Sequence, residues 1–227
     1  MSKWLASVQS AEEARLLLSS LPDILDVKDP SKGALGALNV DKVEEIVGII
    51  DDKCLTSATI GDLAMDSEII GEKMGEMAKT GVSYVKIGLF PDPSIEQCLI
   101  DLEKTVKSLN VPVIAVIFAD KPLNVDYLPL LNKSGFEGVM IDTAIKNGKC
   151  LLDNISTSEL SLFVSEVKSK SMLCGLAGAL KLEDIKPLQA LGADYLGFRS
   201  ALCLKRTRTA SLQLNLAKQV QKLIHPG

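Results

Sequence analysis

Histidine is almost missing from this sequence: of 227 residues only His225 is one, beside Pro226 near the C-terminus, where fraying is usual. Histidine-based triads and His-rich metal sites are therefore set aside. Any proton transfer falls to lysine, carboxylate, tyrosine or cysteine. The five cysteines (Cys54, Cys98, Cys150, Cys174, Cys203) are odd in number and widely spaced, with no C-x-x-C. That argues against a disulfide framework or a structural zinc and for reduced thiols filling the core. No apolar run reaches the ~18–20 residues of a membrane span, and no basic segment followed by an apolar one opens the chain. A cytoplasmic location is expected. The formal net charge of −4 gives no reason to expect nucleic acid or a membrane as partner, and Lys205-Arg206-Thr207-Arg208 is the only dense basic cluster.

Linkers and low-complexity tracts are also absent, as is a G-x-G-x-x-G after the first strand, the mark of a dinucleotide site. What is present is an ordinary globular balance, 47% hydrophobic and 24% charged, consistent with one domain over residues 1–227. Strand and helix alternate throughout. Trp4–Val8 reads as a strand, followed by a Ser10-capped helix with acidic first-turn residues. Ile24–Asp29 is a second strand, with a helix from Val40 to Ile50 after it, capped by Asn39 or Asp41. Further strands are expected at 54–60, 84–90, 111–118, 138–142, 171–175 and 195–199. The intervening helices fall at 67–79, 94–109, 128–133, 158–170 and 183–191, and a closing one at 211–223. Eight such units spaced by about 25–30 residues predict an α/β fold, a single-domain (β/α)8 TIM barrel.

In such a barrel the chemistry gathers where the strands end, and residues of one layer come from alternate strands. The charged residues follow that rule: Asp26, Lys28 and Asp29 on strand two, Lys86 on strand four, Asp142 with Lys146 beyond it on strand six, and Arg199 on strand eight. Lys86 stands between Val85 and Ile87, and an unpaired internal ammonium would lose several kcal/mol of solvation. Burial is also the route by which an amine becomes a nucleophile or base near neutral pH. A lysine that forms an imine acidifies the neighbouring carbon, and a second lysine with two aspartates can move the protons. Glycines beside strands seven and eight (Gly175, Gly178, Gly197), with Arg199 and Ser200, suggest phosphate held at loops seven and eight. These observations point to lysine chemistry on a small phosphorylated carbonyl compound, with no metal and no cofactor.

The run Leu25-Asp-Val-Lys-Asp-Pro-Ser-Lys-Gly-Ala-Leu-Gly36, with Tyr84–Gly88, Ile141–Lys146, Gly175–Gly178 and Gly197–Arg199, resembles the (5-formylfuran-3-yl)methyl phosphate synthase family over essentially the whole chain. The resemblance implies a barrel lyase of methanofuran or methylofuran biosynthesis. It would condense two glyceraldehyde 3-phosphate molecules, with loss of phosphate and water, as a homo-oligomer. It further implies that Lys28 forms the imine, that Lys86 accepts protons, and that Lys146, Asp26 and Asp142 complete the site. Two other readings stay open: another phosphosugar aldolase or decarboxylase, and a non-catalytic phosphosugar-binding barrel. The orotidine-phosphate decarboxylase group shares a D-x-K start, but its second aspartate is replaced here by Ser31.

Overall fold

The alternating runs fold as expected, each strand pairing in parallel with the next and the eighth returning to the first. The computed structural model describes residues 2–120, 125–145 and 148–226. Among these, β1 (Lys3–Val8), β2 (Ile24–Val27), β3 (Leu55–Thr59), β4 (Tyr84–Gly88), β5 (Val113–Phe118), β6 (Gly138–Asp142), β7 (Leu173–Leu176) and β8 (Tyr195–Phe198) close one barrel. Helices α1 (Ala11–Leu17), α2 (Val40–Ile50), α3 (Ser67–Ala78), α4 (Ile95–Ser108), α5 (Leu128–Lys133), α6 (Leu151–Asn154), α7 (Thr157–Ser169), α8 (Ile185–Ala190) and α9 (Leu214–Ile224) follow in chain order.

Alternation along the strands sorts side chains into two cores. Outward residues such as Trp4, Leu25, Val85, Ile87 and Leu196 pack under the helices, together with Leu99 and Phe163. Inward residues form a smaller cluster inside the barrel, including Leu5, Ile24, Val116, Met140 and Tyr195. The interior is thus apolar below, and charged side chains occupy its upper end.

Several boundaries differ from the sequence reading by a few residues, and three differences after β6 have a clear local reason. Ser171 has φ 59° and its N–H still bonds Lys168 O, so β7 starts at Leu173 and runs past Gly175. α7 is capped by Ser156 and not Ser158, because Ser156 and Glu159 each accept the other's backbone N–H. The long connection after β6 contains the short α6, where Asp153 accepts the Cys150 N–H.

Candidate active site

Asp26, fully buried on β2, is the floor of the site. Register explains its setting: Ser7 on β1 and Ser57 on β3 lie level with it, and parallel neighbours at one level face the same way. Both hydroxyls donate to its carboxylate, Ser7 Oγ at 2.9 Å and Ser57 Oγ at 2.7 Å. Lys86 Nζ, from β4, comes within 2.5 Å of Asp26 Oδ1. Burial works to raise the Asp26 pKa, but Lys86, Lys28 and the Ser57 bond outweigh it and the carboxyl ends below its usual value. For Lys86 burial prevails: desolvation, aided by the Lys28 charge, lowers its pKa although Asp26 pulls the other way.

Lys28 follows β2 directly, its N–H still bonded to Val8 O at 3.0 Å. Its ammonium crosses the barrel to Asp142 Oδ2, 3.4 Å away at the end of β6. Asp142 Oδ1 accepts the Thr143 N–H at 2.7 Å, which fixes the carboxylate. Asp26 and Lys28, neighbours along β2, thus each find a partner on a different strand. Lys28 is 8% exposed against 3% for Lys86, and of the two amines it is the one nearer the mouth. Both lysines and both aspartates line one pocket.

The loops are braced by three carboxylates, of which the sequence reading singled out Asp29 alone. Asp29 accepts the N–H and hydroxyl of Ser31 at 2.9 and 2.6 Å, so the D-P-S-K-G run is a shaped turn, not additional chemistry. Gly33 has φ 102°, and a Cβ there would lie 2.0 Å from Asp62 Oδ2. Asp62 in turn holds the Ala34 and Leu35 N–H groups at 2.9 and 2.7 Å. Asp120, just after β5, accepts the N–H groups of Ala144 and Ile145. Lys146, expected in the site, lies outside the described residues.

The phosphate assignments divide. Gly175 and Gly197 lie inside strands and not in loops: a Cβ on Gly175 would meet Met140 Cγ at 3.1 Å, and one on Gly197 would meet Met140 Cε at 2.9 Å. They give Met140 its room inside the barrel. Arg199 is also corrected. Its Nη1 and Nη2 fork onto Glu13 at 2.5 and 3.1 Å, and its remaining donors go to the carbonyls of Ser7, Arg208 and Ala210. No N–H of that guanidinium is left for a phosphate. Gly178 and Ser200 stay at the mouth. Gly178 has φ 113°, and it lines the pocket with Ala179 and Ser200. Ser200 Oγ is buried without a hydrogen-bond partner among the described residues, an orphan that a ligand oxygen would satisfy. Arg208, passed over as part of a basic cluster, lines the same pocket. The inward position of Ser7 and Ser57 was readable from strand alternation; the remote partners Glu13 and Arg208 had no comparable local signal.

Comparison with known proteins shows the fold and the family. Among solved structures, phosphoribosyl anthranilate isomerase from Thermotoga maritima superposes with TM-score 0.71 at 12% identity, covering 99% of this chain and 98% of that one. A 3-hexulose-6-phosphate synthase gives TM-score 0.64 at 15% identity, over 98% of this chain and all of the other. These likenesses concern the fold alone. Closer relatives are named (5-formylfuran-3-yl)methyl phosphate synthase: proteins of Methanococcus aeolicus and Methanocaldococcus jannaschii are each 32% identical over 96% of this chain and 98% of their own. A Methylorubrum extorquens protein, provisionally given the same name, is 35% identical over 98% of this chain and 92% of its own length. The family model described as 4-HFC-P synthase matches residues 4–221. The chain belongs to the 4-HFC-P synthase family.

Proposed function

We propose that this enzyme condenses two glyceraldehyde 3-phosphate molecules into (5-formylfuran-3-yl)methyl phosphate, with loss of phosphate and water, in methanofuran-type cofactor biosynthesis. The observation that carries the reading is the pair of buried lysines in one pocket, each set against a carboxylate from another strand. Lys28, nearer the mouth, attacks the aldehyde of the first triose after Asp142 beside it has taken the ammonium's proton, and Asp142 returns that proton to the departing carbinolamine oxygen. The protonated imine withdraws electrons from the adjacent carbon. Lys86, its pKa lowered by burial, takes the proton from that carbon. The resulting enamine expels phosphate from the third carbon: the carbon–hydrogen pair becomes the new double bond and the phosphate leaves with the carbon–oxygen pair. The third carbon of the remaining fragment, as its enol, adds to the central carbon of the second triose once that molecule has isomerised to its ketone form. Closure of that triose's terminal hydroxyl onto the fragment's middle carbon, with loss of water, gives the furan. Gly178 and the orphan hydroxyl of Ser200 supply phosphate contacts at the rim.

Incubation with glyceraldehyde 3-phosphate and borohydride should leave a mass adduct on Lys28 and, without borohydride, furan absorbance. Lys28→Ala should abolish both, and Lys86→Ala should lower turnover by about 10²–10⁴-fold. An undiminished adduct in Lys28→Ala would overturn the imine assignment, and a phosphosugar product lacking the furan chromophore would favour a simpler aldolase.

A further inference from the structure

The basic stretch Lys205–Arg208 is a sequence feature that the reaction above does not use. Its two arginines reach in different directions from the segment after β8. Arg206 is exposed and bonds Ala179 O at 2.5 Å. Arg208 is partly buried and reaches across the barrel mouth to the β2 loop, where Nη2 donates to Gly33 O at 2.7 Å. Its other N–H groups have no acceptor among the described residues, and the guanidinium lines the pocket that holds Lys28, Asp142, Gly178 and Ser200. Among the described residues, three other cations near the mouth are engaged: Lys28 with Asp142, Lys32 with Asp29, and Arg199 with Glu13.

We propose that Arg208 is the phosphate-recognising guanidinium of this pocket, and that the buried Arg199–Glu13 pair is its positioning device. This rests on the reading of the site as one for phosphorylated trioses, and adds the residue that would select them. A guanidinium presents paired donors matched to phosphate oxygens, and Arg208 has them to give where Arg199 does not. Its backbone is fixed from behind. Arg199 Nε holds Arg208 O at 2.7 Å and Arg199 Nη2 holds Ala210 O at 2.9 Å. Glu13, besides clamping Arg199, accepts the Leu212 N–H at 3.0 Å, and Cys203 bridges Leu212. In front, the Gly33 carbonyl belongs to a loop braced by Asp62. A cation held this way loses little freedom on meeting an anion, which is where preorganisation adds affinity. Burial, aided by the Arg199 charge, presses the Arg208 pKa below its ordinary value although Asp142, Asp62 and Asp29 pull the other way.

The test is calorimetric titration of inorganic phosphate into the whole protein, as wild type, Arg208→Ala, Arg208→Lys, Glu13→Gln and the Glu13→Gln/Arg208→Ala double variant. Thermal melts run alongside, and kcat and KM are measured with glyceraldehyde 3-phosphate. Arg208→Ala should weaken phosphate binding by about tenfold or more, with Arg208→Lys between it and wild type because the charge remains and the fork does not. KM should rise more than kcat falls, a split that a general loosening of the fold would not give. Glu13→Gln should weaken phosphate in the Arg208 background and add nothing once Arg208 is alanine; an equal further loss would remove the positioning role. The proposal is overturned if wild type binds no phosphate, or if Arg208→Ala binds it within about twofold of wild type while melting normally. Phosphate binding through Arg208 without furan formation would instead leave this assignment standing and remove the furan reaction.

Discussion

Lys86 Nζ lies 2.5 Å from Asp26 Oδ1, with the two side chains 4% and 1% exposed. A buried pair of this kind is a poor source of stability, because both charges lose hydration that their attraction only partly restores. It is a good source of tuned proton affinity. Burial moves Lys86 toward its neutral form while Asp26 holds it back, so the carboxylate sets how basic the amine is.

Asp26→Asn should therefore displace the pH–rate profile. If neutral Lys86 is the base, kcat/KM rises with pH through its pKa, which lies below 10.5. Removing the Asp26 charge removes a raising influence, so the rising limb should move to lower pH even as the maximum rate falls. A limb that stays put or moves upward would separate Lys86 from Asp26. The same substitution should change acid stability. The carboxyl of Asp26 is lowered in the folded protein relative to 3.8, so its contribution is full above that pH and is lost as pH falls through the folded value. Melting temperatures of Asp26→Asn should accordingly depend less on pH below about 3.8 than those of wild type.

The fold and the centre of the site were legible because both follow from alternation. Period-two strands at regular spacing specify a barrel, and a lysine between Val85 and Ile87 has nowhere to point except inward. The same rule misplaced Arg199. The chain leaves the extended conformation at this residue, with ψ −63°, so the alternation that carries Tyr195 and Gly197 inward ends before the arginine. Its partner Glu13 reads locally as an acidic residue in the first turn of a helix; that it closes the barrel against a residue 186 positions away is a property of the closed sheet. Gly175 and Gly197 have a similar history. Glycine near a strand end suggests backbone approach to a ligand, but only the packed interior shows that both make room for one methionine on β6.

The cost of the Lys86–Asp26 pair can be measured directly. Lys86→Met alone leaves a buried carboxylate with its two serine donors and Lys28 nearby, and should destabilise the protein by about 3–5 kcal/mol. Lys86→Met combined with Asp26→Leu replaces both charges with apolar groups, and should recover that loss and bring the chain to neutral or about 1–4 kcal/mol more stable than wild type, without activity. Denaturant melts of the three proteins decide the matter. A double variant as unstable as the single one would show that the pair is structural and that its strained proton affinity is incidental.

The methionine that fills the barrel floor gives a test of the corrected glycines. A Cβ on Gly197 would stand 2.9 Å from Met140 Cε and 3.0 Å from Ala177 Cβ, so Gly197→Ala must push the methionine aside. Overpacking of this kind costs about 1–3 kcal/mol. If Met140 is the obstacle, Met140→Ala should suffer its own loss of packing yet make Gly197→Ala cheaper, giving a coupling of about 0.5–3 kcal/mol in a double-mutant cycle. Met140 ends in a flexible thioether, whereas the Ala177 methyl is fixed to the β7 backbone, so the coupling should be large but incomplete. Strict additivity of the two substitutions, read from urea midpoints at constant slope, would mean that Gly197 is glycine for a reason other than the room it gives Met140.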